Sequence, residues 1–195
     1  MGKKSQTVYA CEDKYGKDSE LWLKLIDGDK RALERLFMRH YNDLVQYAVR
    51  MCSCRDFAED AIQQLFLKLW ESRRELQPVS GVKTYLWKAL RNHMITKLRK
   101  INRRENILNK RASDIRHSVN LNAEDLMIER EIDRQTSRRL KKALDTLTDR
   151  QREVLILKFY SGLNYEEIEQ VMSINYQTAR NYVYEALRLL QNVLK

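Results

Sequence analysis

Five side chains near the C-terminus have the types and spacing needed to read the bases of DNA. They follow Asn175 and fall on one outward arc of a predicted helix: Tyr176, Gln177, Arg180, Asn181 and Tyr184. Gln, Asn and Arg side chains can form two hydrogen bonds with a base edge, and Arg180 can instead hold a phosphate. The N-terminal end of the helix also attracts phosphate. This segment therefore predicts a surface that reads DNA.

Three short capped helices are predicted to position this surface. Each helix begins with a capping residue, whose side chain can accept a hydrogen bond from a free backbone N–H. The residue that supplies this N–H follows three positions later. The pairs are Thr148 with Gln151, Asn164 with Glu167 and Asn175 with Thr178. A turn over about 172–174 joins the last two helices, as in a helix-turn-helix that presents one helix to a DNA groove. The spacing also fits three helices that only pack together, and this alternative stays open.

A second predicted helix, over 82–99, interleaves basic and aromatic residues. Such a surface suits partly unstacked DNA, because Lys and Arg meet phosphates while an aromatic ring receives a base. The candidate residues are Lys83, Trp87, Lys88, Arg91, Asn92, Lys97, Arg99 and Lys100. Large aromatic residues are usually buried, so Trp87 and Tyr85 fit a place in the core equally well.

The positive charge of the chain is concentrated around this helix. Residues 83–116 contain eleven Lys and Arg against two acidic residues, a net +9 out of +10 for the whole chain. A segment this basic repels itself unless a polyanion neutralises it. Nucleic acid is the obvious polyanion.

The composition predicts an all-α protein of two small helical domains joined by a flexible linker, with the helix-turn-helix in the second. There are one Pro and five Gly, and apolar residues recur at helical spacing over 20–27, 32–52 and 57–72. The loop at 77–81 contains that Pro. We predict a flexible N-terminus over 1–18, a first domain over 19–104, a polar and acidic linker over 105–137, and a second domain over 138–195.

The sequence gives little support to catalysis, metal binding or membrane insertion. The three histidines are scattered, and neither a glycine-rich phosphate loop nor a nucleophile motif is present. The three cysteines lack a set of zinc ligands and are expected to be reduced thiols. We predict no cofactor, no metal and no enzymatic activity. With no apolar run long enough to span a membrane and no secretory signal, a cytoplasmic protein is expected.

Several motifs in both halves match one known family in order and spacing. They read AEDAIQQLFLKLW over 58–70, YLWKALRN over 85–92, LTDRQREV over 147–154, GLNYEEI over 162–168 and TAR over 178–180. The chain resembles the sigma-70 family of RNA polymerase sigma factors. With nothing substantial before or between the two domains, it resembles the extracytoplasmic-function (ECF) subgroup.

This resemblance implies core RNA polymerase and promoter DNA as partners. The helix over 60–70 resembles the surface that docks on the clamp helices of the β′ subunit, and the β flap is the other implied polymerase contact. The implied polymerase-binding residues are Asp60, Gln63, Gln64, Leu67 and Trp70.

On the DNA side, the loop over 72–82 resembles the one that captures a flipped base of the -10 element. The helix over 83–99 resembles the one that opens the duplex, and the helix from Asn175 resembles the reader of the -35 element. The resemblance also implies regulation by a separate anti-sigma factor.

The sequence departs from the family pattern at the predicted helix-turn-helix. Glu169 stands where a small Ala usually packs, so it is expected to point outward or to pair with a base such as Arg180. Ser173 replaces a frequent Gly in the turn. The alternative function is a stand-alone helix-turn-helix regulator that does not dock on polymerase.

Overall fold

The computed structural model describes residues 17–108 and 142–194, and every regular element in these two ranges is helical. The predicted all-α fold is therefore confirmed. The first range contains α1 (17–26), α2 (Lys30–Cys52), α3 (Arg55–Glu71), a 3₁₀ turn (Arg73–Glu75) and α4 (Val82–Leu108). The second contains α5 (142–145), α6 (Asp149–Leu155), a π-helical turn (Ile156–Tyr160), α7 (Tyr165–Met172) and α8 (Tyr176–Leu194).

The predicted linker and N-terminus fall mostly outside the described residues. Of the predicted linker over 105–137, only the first four residues are described, and they continue α4 to Leu108. The prediction that this helix ends at about Arg99 was wrong, because basic residues at consecutive positions do not by themselves interrupt a helix. Of the predicted flexible N-terminus over 1–18, residues 17 and 18 are already helical.

The core of the first range lies where α2, α3 and α4 pack together. Leu36, Leu44, Ile62, Leu86 and Leu90 are completely buried there. Full burial of one such side chain contributes about 1.5–3 kcal/mol, so this apolar contact is the main force that holds the three helices together.

The helix α1 fixes the loop that precedes α4. Trp22 donates from Nε1 to the carbonyl of Gln77 over 3.0 Å, and its ring meets that of Tyr85 edge to face at 4.8 Å. Asp18 binds Arg39 and lies 2.9 Å from Nε2 of His40. Burial acts to raise the pKa of Asp18, but these two partners outweigh it and the pKa is lowered. The start of α4 therefore has a defined position.

The caps predicted for the second range are present. Thr148 and Gln151 form a reciprocal capping box at α6, and Asn164 forms one with Glu167 at α7. At α8, Oδ1 of Asn175 accepts from the backbone N–H of Thr178 over 2.7 Å. These local bonds satisfy donors that a helix start leaves free, and they fix where each helix begins.

The two described ranges share one apolar core. α4 packs against α7, and α2 packs against the π-helical turn. The predicted strand-opening helix therefore lies against the predicted helix-turn-helix.

Candidate nucleic-acid and polymerase surfaces

The five residues predicted to read DNA lie together on the exposed side of α8. Its opposite side buries Ala179, Val183 and Ala186. The exposed residues are Tyr176, Gln177, Arg180, Asn181 and Tyr184, the last with 69% of its surface exposed. Side-chain contacts order this face: Gln177 Nε2 donates to Asn181 Oδ1 over 3.0 Å, and the Arg180 guanidinium lies 6.0 Å from the centre of the Tyr176 ring.

The turn before α8 accommodates both departures from the family pattern. Ser173 adopts the left-handed conformation, with φ at 53°, and therefore closes the turn as a Gly would. Glu169 is half-buried, and its carbonyl accepts from the N–H of Ser173 and of Ile174. Of the two alternatives expected for Glu169, the pair with Arg180 is not seen among the described residues, where the Arg180 guanidinium instead lies near the Tyr176 ring.

The residues predicted to open the duplex are divided among three environments on α4. Lys88, Asn92, Arg99 and Lys100 are exposed. Lys83, Arg91 and Lys97 have acidic partners on other helices, at Glu167, Glu153 and Asp60 respectively. Trp87 lies in the core.

Burial removes Trp87 from any DNA-binding surface in this structure. Its exposed fraction is 0%, and its ring meets that of His40 edge to face at 6.1 Å. Its Nε1 has no hydrogen-bond partner among the described residues. The prediction that this ring receives a base was wrong for this arrangement. The alternative of a core position is correct, because Trp87 is completely buried on the side of α4 that meets His40 of α2.

Arg91 is held in a buried cluster with Glu153 and Tyr47. Its Nε and Nη2 donate to the two carboxylate oxygens of Glu153 over 2.5 and 3.0 Å, and the Tyr47 hydroxyl donates to Oε1 over 3.0 Å. The side chains of Arg91 and Glu153 are only 13% and 5% exposed. Burial acts to lower the pKa of Arg91, but the bonds to Glu153 raise it overall. The cluster therefore contains a charged Arg–Glu pair with two side-by-side hydrogen bonds, and this pair joins α4 to α6.

A second ion pair connects α4 with α7. Lys83 Nζ lies 3.7 Å from Oε1 of Glu167, while Oε2 of the same carboxylate accepts from the backbone N–H of Asn164. At a separate contact, between α2 and the π-helical turn, the Arg50 guanidinium lies 4.4 Å from the centre of the Tyr160 ring. Glu153 of α6 and Glu167 of α7 thus pair with two cations of α4.

The residues predicted to bind polymerase lie on two different sides of α3. Gln63, Leu67 and Trp70 line an apolar groove of about 460 Å³ between α2 and α3, together with residues such as Leu33 and Phe37. Leu67 is 56% exposed in this groove. The groove has the open apolar surface that favours binding of another protein.

Asp60 and Gln64 instead face α4. Asp60 pairs with Lys97, and that bond lowers the pKa of the carboxyl. Gln64 donates to Asp60 over 3.1 Å, and its Oε1 lies 3.0 Å from Nε2 of His93. Burial, with Lys68 and Lys97 nearby, lowers the pKa of His93, which favours the neutral imidazole. These bonds connect α3 to α4.

Sequence reasoning missed His93 and the cavity beside it. The cavity holds about 350 Å³ between α3 and α4, and Ser72, Tyr85, Asn92 and His93 are among its lining residues. It opens at the start of the loop predicted to capture a base. No local pattern points to His93, because its partner Gln64 is on another helix.

Comparison with known proteins agrees with this architecture. Residues 36–104 match the family described as Sigma-70 region 2, and residues 137–190 match Sigma-70, region 4. The ECF RNA polymerase sigma factor SigK of Mycobacterium tuberculosis is 28% identical over 182 residues, which cover 91% of this chain and 94% of that protein. The ECF RNA polymerase sigma-E factor of Haemophilus influenzae is 24% identical over 181 residues, 91% of this chain and 95% of that protein.

Two solved structures share the fold. The sigma factor RpoE of Bartonella quintana, in complex with the anti-sigma factor NepR, is 27% identical with a TM-score of 0.63, covering 83% of this chain and 95% of that one. CnrH, in complex with the cytosolic domain of CnrY, is 20% identical with a TM-score of 0.62, covering 91% and 97%.

The paired regions define a transcription initiation factor, a class of protein that directs RNA polymerase and is not itself an enzyme. The chain belongs to the sigma-70 family of RNA polymerase sigma factors, in the ECF subgroup. Core RNA polymerase and promoter DNA are the partners that these two regions imply. Within the described residues, no helix is both long and apolar enough to cross a membrane.

Proposed function

We propose that this sigma factor uses three separate surfaces to bring core polymerase to promoters that carry a -35 and a -10 element. The observation that carries the proposal is the joint presence of an exposed polar face on α8 and a basic face on α4, each within its own sigma region. These faces supply two points of contact with DNA, and the apolar groove on α3 supplies the contact with polymerase.

The -35 element is read by the exposed face of α8 in the major groove. Gln177 and Asn181 have amides that match a base edge, and their mutual hydrogen bond presents them as one unit. Arg180 contributes a base or phosphate contact, since its guanidinium is exposed above Tyr176.

The -10 element is opened and held by α4 and the loop over 72–82. The exposed Lys88, Arg99 and Lys100 bind phosphates of the non-template strand. A flipped base enters the cavity between α3 and α4, where the exposed Asn92 offers hydrogen bonds. Unstacking a base costs a few kcal/mol, which such contacts offset.

Core polymerase docks with its β′ clamp helices in the groove of α2 and α3. Gln63, Leu67 and Trp70 are the contacts, and the open apolar floor supplies most of the binding energy. Asp60 and Gln64 lie on the other side of α3, where their bonds hold α3 against α4 and so fix the position of the groove. The helix-turn-helix contacts the β flap.

We further propose that the protein acts in the cytoplasm, where core polymerase is found, and that a separate anti-sigma factor controls it. The structural relative from Bartonella quintana is in complex with such a factor, NepR. An anti-sigma factor that covers the groove or the faces of α4 and α8 would block the contacts proposed above.

Arg180→Ala is expected to lower promoter-directed transcription while leaving polymerase binding intact. Loss of a contact worth about 1–3 kcal/mol reduces promoter binding on the order of tenfold. Run-off transcription and a pull-down with core polymerase measure the two effects. Arg188→Ala is the matched control, because Arg188 is also exposed on α8 but lies beyond the proposed reading face. Loss of polymerase binding in Arg180→Ala, or an equal loss of transcription in the control, contradicts this division.

A further inference from the structure

We propose that Trp22 of α1 is a positioning residue for the -10 element, because it holds in place both the loop over 72–82 and one side of the cavity next to that loop. The proposal rests on the proposed function, in which a flipped base enters this cavity. α1 covers residues 17–26 and so lies before residue 36, where the match with Sigma-70 region 2 begins. The family match therefore does not extend to this helix.

A single buried side chain contacts the loop and the lining of the cavity. Trp22 is only 1% exposed, and its Nε1 donates to the carbonyl of Gln77 over 3.0 Å. Its ring meets that of Tyr85 edge to face, with the ring centres 4.8 Å apart. Tyr85 also lines the cavity between α3 and α4. Trp22 thus connects the middle of the loop to the site proposed for the base.

The loop has few other attachments. Among the hydrogen bonds between described residues, the one from Trp22 is the only one that joins residues 77–80 to another helix. Leu76 and Val79 are half-buried against the core, but apolar contact has no preferred direction. If the indole N–H is removed, the Gln77 carbonyl loses its partner and the loop can adopt other arrangements.

The helix α1 is itself firmly attached, so it can serve as a fixed support. Near its start, the buried Asp18 binds Arg39 and lies 2.9 Å from Nε2 of His40, and both partners are on α2. Just after its end, a Cβ placed at Gly28 would lie 3.8 Å from Nε of Arg73. The turn between α1 and α2 therefore approaches the first residues of the loop, while Trp22 holds its middle.

A loop that is already ordered lowers the cost of base capture. A loop that samples several arrangements must be ordered when the base enters, and this ordering reduces the affinity. The apparent affinity falls by the fraction of molecules in which the loop is ready. The loss concerns the captured base alone, because the phosphate contacts of α4 and the contacts of α8 do not involve the loop. Weaker selection of one base is therefore the specific consequence of losing Trp22.

The first test compares Trp22→Phe with Trp87→Phe in the free, full-length chain. Phe keeps an aromatic ring beside Tyr85 but lacks the indole N–H. Trp87 is the matched control, because it is also completely buried and its Nε1 has no hydrogen-bond partner among the described residues. Hydrogen–deuterium exchange is expected to become faster over residues 76–81 in Trp22→Phe and to stay unchanged there in Trp87→Phe. Unchanged exchange in Trp22→Phe, or an equal increase in both variants, contradicts the proposal.

The second test measures how strongly polymerase carrying this protein depends on each base of the -10 element. The probe is a labelled promoter fragment recovered by run-off transcription, with one non-template nucleotide at a time made abasic, and fluorescence anisotropy measures its binding. The position with the largest loss of affinity identifies the captured base. In Trp22→Phe, we expect affinity for the intact fragment to fall about three- to tenfold and affinity for that abasic fragment to stay the same. The abasic penalty therefore shrinks, whereas Trp87→Phe keeps it.

The outcomes of this scan separate the proposal from the function on which it rests. An abasic penalty that Trp22→Phe leaves unchanged overturns the role of Trp22, even if exchange in the loop is faster. A scan that shows no preferred position with the unaltered protein refutes base capture itself, and the role of Trp22 with it.

A second variant keeps the proposal testable if Trp22→Phe does not fold, as judged by circular dichroism. Asp18→Asn weakens the attachment of α1 to α2 and leaves the side chain that contacts the loop unchanged. We expect faster exchange over residues 76–81 and a smaller abasic penalty, both in the direction expected for Trp22→Phe. Either measurement left unchanged by Asp18→Asn then contradicts a supporting role for α1.

Discussion

Leu67→Glu is expected to abolish stable binding of core RNA polymerase while the protein stays folded. Leu67 is 56% exposed in the groove between α2 and α3, so the fold does not depend on its burial. A carboxylate there would have to be desolvated against the apolar floor of the interface. The loss should exceed about 2 kcal/mol, which is roughly thirtyfold in affinity. Titration of fluorescently labelled protein with core polymerase measures it.

The controls for this prediction separate the groove from the rest of the surface. Leu23→Glu makes the same change at another exposed leucine, 49% exposed on α1 and outside the groove. We expect polymerase affinity close to that of the unaltered protein. Asp60→Ala should weaken binding far less than Leu67→Glu, because Asp60 faces Lys97 on α4. A polymerase affinity that survives Leu67→Glu would place docking elsewhere.

Trp87→Ala is expected to destabilise the first set of helices severely. Removal of a completely buried Trp costs about 3–5 kcal/mol, because the transfer energy is lost and a cavity remains. That is a large part of the about 5–15 kcal/mol that holds an ordinary domain folded. Urea denaturation followed by circular dichroism measures the change in the free energy of unfolding.

Trp70→Ala is the matched control for the core role of Trp87. Trp70 is only half-buried at the rim of the groove, with the Arg73 guanidinium 4.2 Å from its ring centre. We expect a smaller loss of stability and a clear loss of polymerase binding. If Trp87→Ala were as stable as Trp70→Ala and had lost only DNA binding, Trp87 would be a base-stacking residue after all.

The helices and the exposed polar face of α8 could be predicted from the sequence because their signals are local. A cap at Asn164 or Asn175 is set by a residue three positions away, and the side of α8 that carries Ala179 and Val183 is buried because it is apolar. The polar residues opposite must then be exposed. Neither inference needs knowledge of another part of the chain.

The arrangement of α3 and α4 could not be predicted in the same way. Whether Asp60 or Gln63 faces a partner protein depends on which side of α3 is covered by α4, and that is decided by tertiary packing. The pair of Arg91 and Glu153 joins residues 62 positions apart, so no local spacing indicates it. The role of Trp87 was ambiguous because an aromatic ring on a basic helix can either stack on a DNA base or be buried in the core.

The two sides of α3 connect the groove proposed for polymerase with α4, which is proposed to bind DNA. One side lines the groove proposed for polymerase, and the other holds α4 through Asp60 and Gln64. A polymerase docked in the groove would therefore position α4 directly.

The most direct test of promoter-specific initiation is run-off transcription of a genomic fragment library by core polymerase, with and without this protein. The account predicts discrete transcripts that appear only when the protein is added, from start sites preceded by shared -35 and -10 sequences. Their yield should fall with Arg180→Ala and disappear with Leu67→Glu. If the transcripts are the same with and without the protein while it still binds DNA, it is a stand-alone helix-turn-helix regulator and the account is contradicted.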